Sequence, residues 1–214
     1  MTWAILAYDG DDAEAPARRA AAREAHVAFI TAEAAAGRLL LGLPLHDEAG
    51  RSRGSLMLVA GDEAARDAYL AAEPFATSGV WRQVQAHPFG IAPLPYQPWP
   101  SPDAPAPTGR THSVLIGWDG TDAGALDRRM AARPAHFARV KPMAADGTLL
   151  FGGAIFDAPG GRMIGSIAAT RHTSHQAARD WVAADPYSTG DVWREVTVHA
   201  TAFRPLPYAP LPHG

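Results

Sequence analysis

Apolar and polar positions alternate between two periods along the first half of the chain. Trp3 to Tyr8 is a short apolar run rich in strand formers and stopped by Asp9-Gly10, which predicts a β-strand. Residues 13–36 are dominated by Ala, Arg and Glu, with Ala22, His26, Phe29, Ile30 and Glu33 near helical spacing. Gly37 then sits where a left-handed C-cap is expected, so this segment predicts a helix. Leu39 to Leu45 reads as a strand, residues 47–50 as a loop, and Ser55 to Ala60 as the returning strand of a hairpin. Asp62 is placed to N-cap a second helix over 63–72, closed by the turn at Pro74. Val80 to Ile91 predicts a last long strand. The order is strand, helix, strand, strand, helix, strand.

The second half repeats the first. A shift of 110 positions carries Asp9-Gly10 onto Asp119-Gly120, Arg18-Arg19 onto Arg128-Arg129, Arg23 onto Arg133 and His26 onto His136. The same shift carries Gly37, Leu39-Leu40 and Gly42 onto Gly147, Leu149-Leu150 and Gly152. One residue more aligns Gly54-Ser55 with Gly165-Ser166. A further one aligns Glu73-Pro74-Phe75 with Asp185-Pro186-Tyr187, Trp81-Arg82 with Trp193-Arg194, and Pro93-Leu94-Pro95-Tyr96 with Pro205-Leu206-Pro207-Tyr208. The two slips fall where loops are expected. We therefore read residues 1–96 as a first copy, 97–110 as a proline-rich, extended, semi-rigid linker, and 111–214 as a second copy with a proline-rich tail.

The element order is that of the ferredoxin-like split βαβ fold, an α+β arrangement. Its four-stranded sheet carries both helices on one face and leaves the other apolar. Two such sheets packed together cover each other, which predicts a pseudo-two-fold α+β barrel within one chain. The Pro-Leu-Pro-Tyr segments are expected to strap each half across the other or to cover a sheet edge. One departure concerns the long helix of the second copy, where Arg133-Pro134-Ala135-His136 replaces Arg23-Glu24-Ala25-His26. Proline is best tolerated in the first turn, so this predicts a helix starting near Pro134, with His136 in its first turn and a bend at Pro142.

Composition narrows the function classes. The 19 basic and 22 acidic residues are dispersed and give a net charge of −3, with no basic stripe for nucleic acid. No apolar run reaches the ~20 residues of a membrane helix. The N-terminus turns acidic at once and lacks a signal-peptide n-region, so a cytoplasmic location is expected. With no cysteine, thiolate nucleophiles, disulfides and Cys-based metal sites are excluded. There is no phosphate-cradling glycine loop, serine–histidine triad spacing or zinc motif, so neither metal nor cofactor is implied.

Arg133-Pro134-Ala135-His136-Phe137-Ala138-Arg139, Gly147-Thr148-Leu149-Leu150, Gly165-Ser166 and Ala184-Asp185-Pro186-Tyr187 together resemble the YciI-like family over nearly all of residues 112–204. The first copy resembles it through Arg23, His26, Gly37 to Leu40, Gly54-Ser55 and Pro74-Phe75. The resemblance implies a dimeric α+β barrel and an active site on the histidine and the aspartate of the Asp-Pro-aromatic turn, here His136 with Asp185. The family includes a dehydrochlorinase of a chlorinated hydroxylated aromatic ring; most of its members have no assigned reaction. The first copy departs by carrying Glu73 for the aspartate, one methylene longer, which puts its reach to His26 in question.

A histidine held by a carboxylate is the smallest unit that moves a proton near neutral pH. It suits abstraction of an acidic proton followed by elimination or isomerisation. The same pair could instead be a buried hydrogen bond tying helix to turn. A haem site, hosted by related barrels, is not expected, and a non-catalytic ligand-binding module is the other reading. Arg133 and Arg23, each three residues before a histidine, could anchor an anion or pair with a turn carboxylate. Ser55 and Ser166 could donate to a ligand or simply begin a strand. Trp81 and Trp193, next to Phe75 and Tyr187, line a pocket for a flat ligand or belong to the core. His87 and His199 recur and would face each other across the pseudo-two-fold; His46, His112, His172, His175 and His213 read as surface or loop residues. The expected partner is a small anionic or aromatic molecule, and a further homodimer of the fused pair is left open.

Overall fold

The structure, a computed structural model, describes residues 1–211. The first copy forms β1 (Thr2–Asp9), α1 (Ala15–Ala35), β2 (Leu39–His46), β3 (Ser52–Ala60), α2 (Glu63–Ala72), a short α3 (Pro74–Thr77) and β4 (Trp81–Ile91). The second forms β5 (His112–Asp119), α4 (Ala125–Ala145), β6 (Leu149–Phe156), β7 (Met163–Thr170), α5 (His175–Ala183), a short α6 (Pro186–Thr189) and β8 (Trp193–Thr201). Within each half the antiparallel strand order is that of the ferredoxin-like fold, β2-β3-β1-β4 and β6-β7-β5-β8. β4 then pairs with β6 through Phe89 and Ile155, and β8 with β2 through Ala200 and His46. Eight strands therefore close into one barrel through two short seams, one residue pair between β8 and β2 and three between β4 and β6.

The central strands explain their own composition. Trp3 to Ala7 and Val114 to Ile116 are almost wholly buried, because one face of the sheet meets helices and the other fills the barrel. Gly37 and Gly147 end the long helices with φ of 71° and 78°, the left-handed geometry that glycine adopts without a Cβ penalty. Asp62 caps α2 by accepting from the amide of Ala65.

The expectation of a helix starting at Pro134 is overturned. α4 runs unbroken over 21 residues with Pro134 and Pro142 inside it, so His136 lies mid-helix, away from the N-terminal dipole. Each proline removes one amide donor and leaves the carbonyl four residues earlier without its helical partner. Pro134, Pro142, Met130 and Ala138 are all exposed, so the deprived carbonyls lie on the water side of the helix. The opposite stripe of Arg129, Val140 and Ala144 is buried and holds the helix together by packing. Three more expectations change. Pro74 and Pro186 do not simply close a turn but start the short helices α3 and α6, capped by Glu73 and Asp185. His175 is buried, accepting from Arg110 at Nδ1 (2.8 Å) and donating from Nε2 to the carbonyl of Val198 (3.2 Å). His87 and His199 do not meet: His87 lies edge-on to Trp118, and His199 lies beside Tyr8. His213 is outside the described residues.

The Pro-Leu-Pro-Tyr tails cross between the halves. Tyr96 Oη donates to the carbonyl of Gly152 and accepts from its amide, at 3.0 and 3.1 Å. Tyr208 Oη does the same for Gly42, at 3.3 and 3.1 Å. The linker is docked as well: Trp99 stacks on Phe203 and donates to the carbonyl of Ala209. Tyr208→Phe deletes a hydroxyl that satisfies both polar groups of a buried backbone position, and a loss of about 1–3 kcal/mol is expected. The urea midpoint with an unchanged m-value checks it; an unshifted midpoint would show that the tail does not hold the halves together.

Candidate functional site

One stripe of the long helix builds each site. Arg19, Arg23, His26 and Ile30 recur as Arg129, Arg133, His136 and Val140, spacings that place four side chains on one helical face. In the second copy His136 Nδ1 lies 2.8 Å from Asp185 Oδ1. Asp185 is fully buried and also accepts from Arg139 Nη1 (2.7 Å) and from the amide of Tyr187 (2.9 Å). A carboxylate surrounded by donors requires Nδ1 to carry a proton. The lone pair of a neutral His136 then resides on Nε2, which makes no hydrogen bond among the described residues. The ring is stacked on Tyr187 (4.0 Å between centroids) and meets Trp193 edge-on (6.0 Å).

The first copy repeats this with one adjustment. Glu73 does reach His26 Nδ1, and the ring stacks on Phe75 at 3.8 Å. The added methylene is absorbed at the cap. Glu73 Oε2 accepts from the amide of Ala76, three residues on, whereas Asp185 uses the amide two residues on. Phe29 stands where the second copy has Arg139, so Glu73 lacks the guanidinium contact that Asp185 has.

Beneath each histidine is an ion pair to which the sequence reading assigned no role, although the duplication had superposed both partners. Arg129 Nη1 contacts both carboxylate oxygens of Asp119 at 2.8 Å, and Nη2 reaches Ser166 Oγ at 2.8 Å. Burial pushes the Asp119 carboxyl up, opposed by the Arg129 charge. Arg19 contacts Asp9 at 2.8 and 3.0 Å and Ser55 at 3.3 Å. The guanidiniums also lie over the aromatic rings, Arg129 over Tyr187 and Arg19 over Phe75. Ser166 Oγ accepts from both Arg129 and Trp193 Nε1, which leaves its own hydrogen to donate.

A cavity of about 190 Å³ lies beside His136, lined also by Arg133, Ser166, Tyr187 and Trp193, and walled on its far side by Gly90 to Leu94 of the first copy. A cavity of about 240 Å³ lies beside His26 with Arg23, Ser55 and Phe75, walled by Ala202, Arg204, Leu206 and Tyr208 of the second copy and by Ala106 and Pro107 of the linker. Each site is completed by the other half. Trp81 is buried and does not line the first-copy cavity, unlike its counterpart Trp193. Arg23 and Arg133 are exposed and make no ion pair among the described residues; Arg133 lies over Phe137. Among the described residues no cluster of three or more His, Cys, Asp or Glu is placed to hold a metal, and no helix is long and apolar enough to cross a membrane.

Fold and sites define a class: an α+β barrel formed by two fused repeats, each carrying a histidine–carboxylate pair beside a cavity of small-molecule size. The YCII-related domain model matches residues 1–90 and again 118–202, and the chain belongs to that family as a tandem duplication. Protein YciI of Escherichia coli O6:H1 is 35% identical over 90 residues, covering 40% of this chain and 90% of its own length. A mutant chlorite dismutase from Candidatus Nitrospira defluvii matches 94% of this chain and 91% of its own at 9% identity, with a TM-score of 0.57, a likeness of fold. The 5-chloro-2-hydroxyhydroquinone dehydrochlorinase from Burkholderia phenoliruptrix AC1100, in complex with 2,5-dihydroxybenzoquinone, is 22% identical over 41% of this chain and 89% of its own, with a TM-score of 0.36.

Proposed function

We propose that the chain is a small-molecule enzyme of lyase or isomerase type that works by proton transfer without a cofactor, with His136 as the base. The observation that carries this reading is the tautomer that Asp185 imposes: Nδ1 is a donor to a buried carboxylate, and the basic Nε2 belongs to a ring that lines an open cavity. His136 Nε2 takes a proton from carbon, the C–H electron pair forms a new π bond, and the leaving group departs with its own pair. Asp185 steadies the imidazolium that results, and Arg133 and Ser166 supply a cation and a hydroxyl hydrogen for the anion released. Arg139 acts through Asp185, and is a positioning residue. His26 with Glu73 forms a second, altered pair.

A probe reaction tests this before any natural substrate is known. Removing the ring proton of 5-nitrobenzisoxazole breaks its N–O bond and releases a coloured phenolate, an elimination with the required charge flow. On a His26→Ala background, which silences the second pair, the protein should accelerate it beyond free imidazole at equal concentration, and adding His136→Ala should lose about a hundredfold or more of kcat/KM while keeping the circular dichroism. Equal rates for the two proteins would overturn the catalytic reading and leave the cavities as ligand-holding sites.

A further inference from the structure

The two cavities differ where the repeats differ. Phe137 aligns with Val27, Phe156 with His46, and Trp181 with Tyr69; Ala92, at the wall of the second-copy cavity, aligns with Arg204. The cavity beside His136 is consequently ringed by Phe137, Phe156, Trp181, Tyr187 and Trp193. The cavity beside His26 instead receives three guanidiniums, from Arg19, Arg23 and Arg204. Arg19 is tied to Asp9, but Arg23 and Arg204 have no carboxylate partner among the described residues. Both also line an adjoining surface hollow that shares Val27 with that cavity, so they approach one volume from two different halves of the chain, with Glu24 on the same rim.

Counting charges alone does not separate the sites, because the second copy also has an extra cation. That cation is Arg139, whose guanidinium is held by Asp185 and by the carbonyl of Trp181. Arg133 faces the lumen, but its charge lies over Phe137 at 4.3 Å. Burial and the neighbouring Arg19 lower the pKa of His46, so the ring that replaces Phe156 stays neutral and adds polarity rather than charge. The first-copy cavity thus presents two free, forked cations 181 positions apart in sequence (204 − 23). Guanidiniums read carboxylates in a planar, two-point manner.

We propose that the halves have diverged to take different ligands: the His26 cavity a small polar dianion of dicarboxylate type clamped between Arg23 and Arg204, and the His136 cavity a flat aromatic monoanion. This rests on reading the cavities as ligand sites, and the test separates the two claims. Titration calorimetry of the full chain at low ionic strength uses succinate and 1-naphthoate as probes. Arg204→Ala should weaken succinate about tenfold and leave naphthoate within twofold, the loss of one charge-assisted contact. Phe156→His, which installs the first copy's residue, should weaken naphthoate severalfold and spare succinate. If Arg204→Ala leaves succinate unchanged, or weakens both probes alike, the divergence is refuted while the cavities stand as ligand sites. If wild-type protein binds neither probe, the ligand-site reading falls and the divergence with it. Urea midpoints equal to wild type confirm that each variant is folded.

Discussion

Arg129→Met is expected to destabilise the protein by about 3–5 kcal/mol, the usual cost of removing one member of a buried ion pair. Arg129 and Asp119 are both 3% exposed at the side chain, and Arg129 supplies every side-chain hydrogen bond that Asp119 makes among the described residues. Methionine fills the space of the aliphatic stem but strands the carboxylate, which burial already pushes toward protonation. The pH dependence follows from that direction. In the variant the folded-state pKa of Asp119 rises further above its unfolded value near ~3.9. The deficit is therefore smallest in acid, where the carboxyl is neutral in both states, and grows as pH rises through the folded pKa. Arg19→Met is the internal comparison. Its pair is more open, 16% and 5% exposed, and Asp9 keeps a hydrogen bond from Ser52, so about 1–3 kcal/mol is expected. Urea unfolding of both variants at pH 4 and 7 checks the order; an equal or larger loss for Arg19→Met would remove the claim that the second-copy pair is the more deeply committed one.

Gly54→Ala should be comparably severe, about 3–5 kcal/mol, for a reason of backbone rather than charge. Gly54 has φ of 150°, and a Cβ there would stand 2.0 Å from the carbonyl oxygen of Ala7 and 3.0 Å from the Cα of Tyr8. Those atoms belong to β1, the strand between β3 and β4, so no side-chain rotation relieves the overlap. The strand must move, and with it Ser55 and the carbonyl that Arg19 approaches at 3.4 Å. Gly50→Ala is the control: its φ is 80° but nothing lies within 4 Å, leaving only the left-handed penalty of about 1–2 kcal/mol. Thermal unfolding of the two variants should separate them clearly, and similar melting temperatures would contradict the close strand approach.

Local pattern made most of the scaffold legible. Apolar runs ended by Asp-Gly, the helical spacing before Gly37, and Asp62 as a cap each depend on neighbours in sequence, and the observed elements agree with them within a few residues. Pro134 misled because its preference for a first turn is a local rule. In α4 the buried stripe of Arg129, Val140 and Ala144 outweighs one lost helical bond on the water side. The partnership of each histidine with its carboxylate was available only through family resemblance, since 47 residues separate His26 from Glu73 and 49 separate His136 from Asp185. Arg204 carried no signal, because it does not recur in the other repeat, and Arg139 stood in the family-like segment without a role, because Phe29 replaces it in the first copy.

From the sequence alone came a duplicated βαββαβ module, and therefore a barrel, since periodicity, turns and repetition are properties of the chain itself. Folding in three dimensions decided what the sites contain: which carboxylate meets which imidazole, that the tyrosine tails exchange between halves, and that Arg204 of one copy reaches the cavity of the other. Those contacts join segments far apart along the backbone, and their geometry is set by the twist and closure of eight strands, which no spacing between residues encodes.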